Sequence, residues 1–158
     1  MTPRLQVQLL RQPVHLFALG FGTGLSPKAP GTLGTLVAIP IVLVIAPYGW
    51  AAHAGLTVVC FAIGCYLCGE SARRLGVHDH PGIVWDEITG YLVTMLAAPA
   101  EWHWLLAGFV LFRFFDIWKP WPIREADHSL RGGVGIMLDD VLAAVYAGAV
   151  LYGLNSGF

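Results

Sequence analysis

Apolar residues gather in five blocks along the chain, at about residues 33–46, 50–69, 83–98, 102–118 and 136–154. Unbroken apolar runs of this length read as helices facing other helices or hydrocarbon. Two of the connections are short turns without Lys or Arg, Pro47-Tyr-Gly49 and Pro99-Ala-Glu101. The other two are long and charged, at residues 70–82 and 119–135. Ahead of the first block, residues 5–19 mix Leu5, Val7, Leu9, Leu10, Leu16 and Phe17 with Gln8, Arg11 and Gln12, and Pro13 interrupts them. That mixture predicts an interfacial amphipathic segment rather than a span. Residues 20–35 are rich in Gly and Pro, which argues against regular structure up to about Thr32. The pattern therefore predicts an all-α fold. It is a single domain over residues 1–158: a polytopic membrane helical bundle of about five apolar helices with an N-terminal interfacial segment.

Several blocks fall below the roughly 20 residues that cross a hydrocarbon core. Trp50, Trp102, Trp104, Trp118 and Trp121 flank the blocks, as interface anchors do. Composition favours the membrane over an unusually apolar soluble bundle. Only 12% of residues are charged, against about 25% in soluble domains. The mean hydropathy is +0.66. A net charge of −1 offers no basic excess for nucleic acid. Cys60, Cys65 and Cys68 all fall inside the second block. They read as packing or lipid-facing thiols, not as a disulfide framework.

Charge placement adds orientation. With the N-terminus inside, all nine Lys and Arg fall on one side: Arg4, Arg11, Lys28, Arg73, Arg74, Arg113, Lys119, Arg124 and Arg131. Cytoplasmic loops collect such residues, so the charged face is expected in the cytoplasm and the C-terminus outside. Acidic residues share that face. Glu70, Asp79, Asp86, Glu87, Asp116, Glu125, Asp127, Asp139 and Asp140 lie there, and only Glu101 lies opposite.

A helix N-terminus favours one acid by its dipole. It does not account for two adjacent pairs and a fifth acid on one face of a bundle. Carboxylates so close repel unless a cation neutralises them. Mg2+ prefers such oxygen ligands, whereas zinc favours Cys and His. Lys28, Arg113, Lys119 and Arg124 are candidates to hold phosphate oxygens. Arg73, Arg74 and Arg131 read as orientation charges that attract anionic headgroups. Gly31-Thr-Leu-Gly-Thr35 could offer N–H groups and the hydroxyls of Thr32 and Thr35 to phosphate. His78-Asp-His80 fits metal ligation or proton transfer as well as it fits an ordinary loop.

Four strings carry a family resemblance. They are Gly31-Thr-Leu-Gly-Thr35, His78-Asp-His-Pro-Gly-Ile-Val-Trp-Asp-Glu87, Arg113-Phe-Phe-Asp-Ile-Trp-Lys-Pro-Trp-Pro-Ile123 and Gly132-Gly-Val-Gly-Ile-Met-Leu-Asp-Asp140. Together they resemble phosphatidylglycerophosphatase A, over about residues 17–152. Two departures are small: Ala143-Ala144 stands where the family pattern has Ala-Gly, and Thr35 where Ser is common.

The resemblance implies a Mg2+-dependent phosphatase of the bacterial inner membrane, its active site facing the cytoplasm. Such enzymes hydrolyse phosphatidylglycerophosphate to phosphatidylglycerol and inorganic phosphate. It implies an acidic site of Asp79, Asp86, Glu87, Asp116, Asp139 and Asp140, with Lys119 and Arg113 as its basic part. Within that set Asp86, Glu87, Asp139 and Asp140 are expected to hold Mg2+. Asp79 or Asp116 is expected to take a proton from water, and Lys119 and Arg113 to stabilise charge. Lys28, Thr32, Thr35, His78 and Arg124 are expected to bind substrate. An Asp nucleophile remains open beside water. Rival readings are another lipid-phosphate phosphatase or phosphotransferase, a soluble relative acting on another phosphorylated substrate, and a small ion-binding transporter. A transporter would carry its acids in mid-span, whereas these sit at one end.

Overall fold

The computed structural model describes residues 5–78, 80–125 and 132–157, and every regular element among them is helical. The helices are α1 (Pro13–Ala18), α2 (Pro30–Ile45), α3 (Trp50–Leu75), α4 (Trp85–Thr94), α5 (Trp102–Trp118) and α6 (Gly132–Ser156). Short 3-10 turns precede and follow α1 and extend α2 and α4. Three stretches are long and apolar enough to cross a membrane: Pro30–Tyr48, Trp50–Leu75 and Gly132–Ser156. The other two apolar blocks form shorter helices. α5 has 17 residues, about 26 Å of helix, and α4 has only 10, about 15 Å.

Helix boundaries depart from the sequence reading in three places, each for a local reason. α2 starts at Pro30, inside the Gly/Pro-rich stretch. A proline in the first turn has no N–H to satisfy and a φ already suited to helix. α3 runs on to Leu75 through residues expected in a loop. Glu70 holds this extension by taking Arg73 and Arg74 at 2.7 Å, at i+3 and i+4. Gly76 then ends the helix at φ 70°, a left-handed cap that glycine adopts without strain. α6 starts at Gly132, four residues ahead of the apolar block. Asp139 and Asp140 therefore sit about two turns inside a helix rather than at its mouth.

α4 is the central element. It packs against α2, α3 and α6, and α6 in turn packs against α3, α4 and α5. Ile88, Tyr91 and Leu92 of α4 are fully buried. Their polar neighbours are satisfied: Tyr91 Oη donates to the Leu105 carbonyl at 2.8 Å, and Trp85 Nε1 donates to the Cys60 carbonyl at 3.0 Å. Lipid gives helices little hydrophobic reason to associate, so close contact at small residues takes over. At Gly133 a Cβ would strike the Cys65 carbonyl of α3. No residue but glycine lets α3 and α6 approach so closely there.

The outward faces are apolar. Val44, Val58, Val110 and Ile117 are all exposed, as expected of side chains facing acyl chains. α1 and its flanking turns fold over one end of α3. His15 Nδ1 meets Ser71 Oγ at 2.9 Å. Burial, then the nearby Arg74 charge, pushes the His15 imidazole below its ordinary pKa, against Glu70. The opposite end of the bundle has a different character. There Trp50 Nε1 donates to the Leu96 carbonyl at 3.2 Å. Val42, Gly49, His53, Met95, Pro99 and Asn155 surround a cavity of about 400 Å³. That end therefore gathers the 47–49 turn, the 99–101 turn and the end of α6.

Candidate active site

Three helices bring charge to the other end, and a fourth closes over it. Asp86 and Glu87 lie in the first turn of α4, where the helix dipole favours negative charge. Asp140 comes from the inner wall of α6. One oxygen from each of these three carboxylates lies within 4.8 Å of the other two. Asp86 and Asp140 are buried and Glu87 is nearly so. α5 adds Arg113 and Asp116. Arg113 Nη1 lies 2.7 Å from Asp116 Oδ2 and 3.7 Å from Glu87 Oε1. α2 closes the group with backbone. A Cβ at Gly31 would collide with Glu87 Oε1 and come within 3.1 Å of Arg113 Nη1.

The site is electrostatically unbalanced within the protein. Asp86 Oδ1, Glu87 Oε2 and Asp140 Oδ2 are buried and accept no hydrogen bond. Arg113 Nε is buried and donates none, while Nη1 is ion-paired with Asp116. An orphaned buried polar atom costs about 1–3 kcal/mol, and more when charged. Three unsatisfied carboxylate oxygens from two helices make a hard, anionic donor set. Their chemistry fits an oxygen-seeking divalent cation such as Mg2+. The unsatisfied Arg113 Nε donor beside them fits an anion.

Asp139 has a different neighbour from Asp140. Successive residues of a helix point about 100° apart, and Asp139 Oδ2 faces Lys119 Nζ at 2.7 Å. Lys119 caps α5 in the left-handed region at φ 45°. A non-glycine residue bears about 1–2 kcal/mol of strain there.

The sequence-level candidates thus divide. Asp86, Glu87, Asp140, Arg113 and Asp116 form one buried cluster. Asp139 and Lys119 form an adjoining ion pair. Thr35 is buried, and its Oγ1 donates to the Gly31 carbonyl at 2.9 Å within α2. Thr32 lines the outer flank of Arg113. Lys28, His78 and Arg124 are exposed and lie outside the buried cluster. His80 is buried, and its Nδ1 accepts from the Gly82 N–H at 3.0 Å. Asp79 lies outside the described residues. The sequence reading missed the role of Gly31, whose missing side chain makes room for Glu87. The glycine was visible, but it read as loop backbone for phosphate.

A family model described as phosphatidylglycerophosphatase A matches residues 16–155. The Escherichia coli (strain K12) phosphatidylglycerophosphatase A is 47% identical over 144 residues, covering 90% of this chain and 84% of its own. The Haemophilus influenzae phosphatidylglycerophosphatase A is 47% identical over 156 residues, covering 98% of this chain and 95% of its own. A Bacteroides thetaiotaomicron protein, provisionally named a phosphatidylinositol-3-phosphatase, is 38% identical over 84% of this chain and 87% of its own. No solved structure matches the chain.

Proposed function

The chain belongs to the phosphatidylglycerophosphatase A family, and we propose that it is a membrane phosphatase that hydrolyses phosphatidylglycerophosphate to phosphatidylglycerol and inorganic phosphate. One observation carries the chemistry: three carboxylates with buried, unsatisfied oxygens stand beside a guanidinium with an unsatisfied Nε donor. Asp86, Glu87 and Asp140 would hold a divalent cation, for which we propose Mg2+. When bound, such an ion supplies positive charge to phosphoryl oxygens that the protein alone would repel.

The chain's own groups do the rest. Arg113 binds a non-bridging phosphate oxygen through Nε and stabilises the charge that grows on it. Asp116 and Glu87 hold that guanidinium in place through Nη1. Asp116 takes the proton of the attacking water. The water oxygen bonds to phosphorus as the bond to the glycerol oxygen breaks, and that oxygen leaves with the proton that Asp116 took from the water. Lys119 keeps Asp139 neutralised at the edge of the site. The Lys and Arg distribution supports a site on the cytoplasmic side of a bacterial inner membrane.

The test is phosphate release from phosphatidylglycerophosphate by the purified protein, with Mg2+ and after chelation. Chelation is expected to abolish turnover and Mg2+ to restore it. Asp86→Asn and Asp140→Asn are each expected to lower kcat/KM by about a hundredfold or more, roughly 3 kcal/mol. Near-normal turnover in both variants would overturn the carboxylate assignment. Parallel assays with phosphatidylinositol 3-phosphate decide between the two headgroups named among the relatives.

A further inference from the structure

A second feature borders this site on the bilayer side. Thr32 of α2 and Phe109, Val110, Phe114, Ile117 and Trp118 of α5 line an open groove of about 710 Å³, with Arg113 in its wall. On α5, Val110, Phe114 and Ile117 recur at i, i+4 and i+7 and share one stripe. With about 100° per residue, Asp116 lies about 120° around the helix from Val110, and Arg113 falls midway between them. α5 therefore turns one face to the carboxylates and another to lipid. Arg113 stands on the border, its Nη1 paired with Asp116 and its buried Nε donating to no protein group. Val110, Phe114, Ile117 and Trp118 are exposed. From Phe109 to Trp118 the stripe runs about 14 Å along the helix axis.

We propose that this groove between α2 and α5 is the lateral entry and binding site for an acyl chain of the lipid-phosphate substrate. Its phosphate is drawn to Arg113 while its chain lies along Phe109, Val110 and Phe114. This rests on the lipid-phosphatase reading and extends it to the route of the substrate. The charge pairing selects the occupant. A neutral bilayer lipid finds an apolar trough but nothing to bind the guanidinium, whereas a lipid phosphate satisfies both at once. Thr32 adds a hydroxyl at the same border. The substrate then reaches the site sideways without its chains leaving hydrocarbon for water, a transfer that apolar groups resist.

Two measurements test the proposal. Val110→Trp fills the groove from an outward position and spares the buried core. It is expected to raise KM about tenfold for long-chain phosphatidylglycerophosphate in mixed micelles, and to affect a water-dispersible short-chain form, which needs less of the groove, much less. Val58→Trp, on the exposed face of α3, is expected to change neither. Equal losses on both substrates, or no loss on the long-chain one, would overturn the groove.

The second measurement needs no turnover. A phosphatidylglycerophosphate with a photoreactive diazirine in its acyl chain is crosslinked to the wild-type protein in vesicles. Labelling is expected on residues 109–118, competed by unlabelled lipid phosphate and not by diacylglycerol. Labelling spread evenly over the exposed faces of α3 and α5 would mean general lipid contact and end the proposal. A wild-type protein that released phosphate from neither substrate would sink the phosphatase reading, and the crosslink pattern would still decide the groove by itself.

Discussion

A methyl group at Gly31 is a small change placed where the site has no slack. It would strike Glu87 Oε1. That atom is the end of a flexible side chain, so Glu87 moves and the fold survives. Displacing Glu87 opens the carboxylate group and loosens Arg113 together. Gly31→Ala is therefore expected to lower kcat/KM by about tenfold or more, with only a small shift in melting temperature. Equal activity in the two proteins would show that the close approach does not matter. The pair Lys119–Asp139 tests a different residue-level claim. Lys119→Met removes the cation beside the buried Asp139 carboxylate, which costs about 3–5 kcal/mol. The lower part of that range applies because the Lys119 side chain is 27% exposed. In the double variant Lys119→Met, Asp139→Leu the charge is gone from both sides, and thermal stability is expected to recover. If Asp139 only balances Lys119, activity recovers with it. If activity stays lost while stability returns, Asp139 serves the chemistry directly, as its sequence position beside Asp140 implied.

Helices were legible in the sequence where apolar residues run without interruption. The cores of α2, α3, α5 and α6 fall inside the apolar blocks. Their ends were less legible, because charge reads as loop. Glu70, Arg73 and Arg74 look like a solvated connection, yet they pair across one helical turn and carry α3 five residues beyond Glu70. α4 was overestimated because hydropathy does not distinguish a 10-residue helix buried in a bundle from a span. The acids were legible as a set but not by partner, since neighbours on one helix face different ways. The Arg113 groove was invisible, because it needs the juxtaposition of α2 and α5. Glycine contacts were equally hidden. Gly133 lets α6 lie against α3 at the Cys65 carbonyl, and a backbone atom cannot step aside as Glu87 can. Gly133→Ala is therefore expected to separate the helices. It should lower the melting temperature clearly, and activity should fall with it, because α6 carries Asp140. A variant with unchanged melting would contradict so close a contact.

Among the described residues, chemistry is confined to one end and the opposite end carries almost no charge. Lys28 precedes α2, Arg73 and Arg74 close α3, Arg113 and Lys119 sit towards the end of α5, and Arg124 follows it. Among the described residues Glu101 is the one acid at the other end, between α4 and α5, with His103 Nε2 3.6 Å from it. A membrane reads this asymmetry. Each Lys or Arg near an anionic leaflet gains about 1 kcal/mol, and Lys and Arg in short loops set orientation. The same field concentrates no phosphate by itself; it fixes which leaflet the carboxylates and Arg113 face. Single-cysteine labelling measures this in a background with Cys60, Cys65 and Cys68 replaced. Ser26→Cys and His78→Cys are expected to react with an impermeant maleimide only in inside-out vesicles. Glu101→Cys is expected to react only in intact spheroplasts. Reversal of all three would keep the antiparallel bundle and move the site to the outer face. Labelling of all three from one side would break the two-ended arrangement on which both the site and its groove depend.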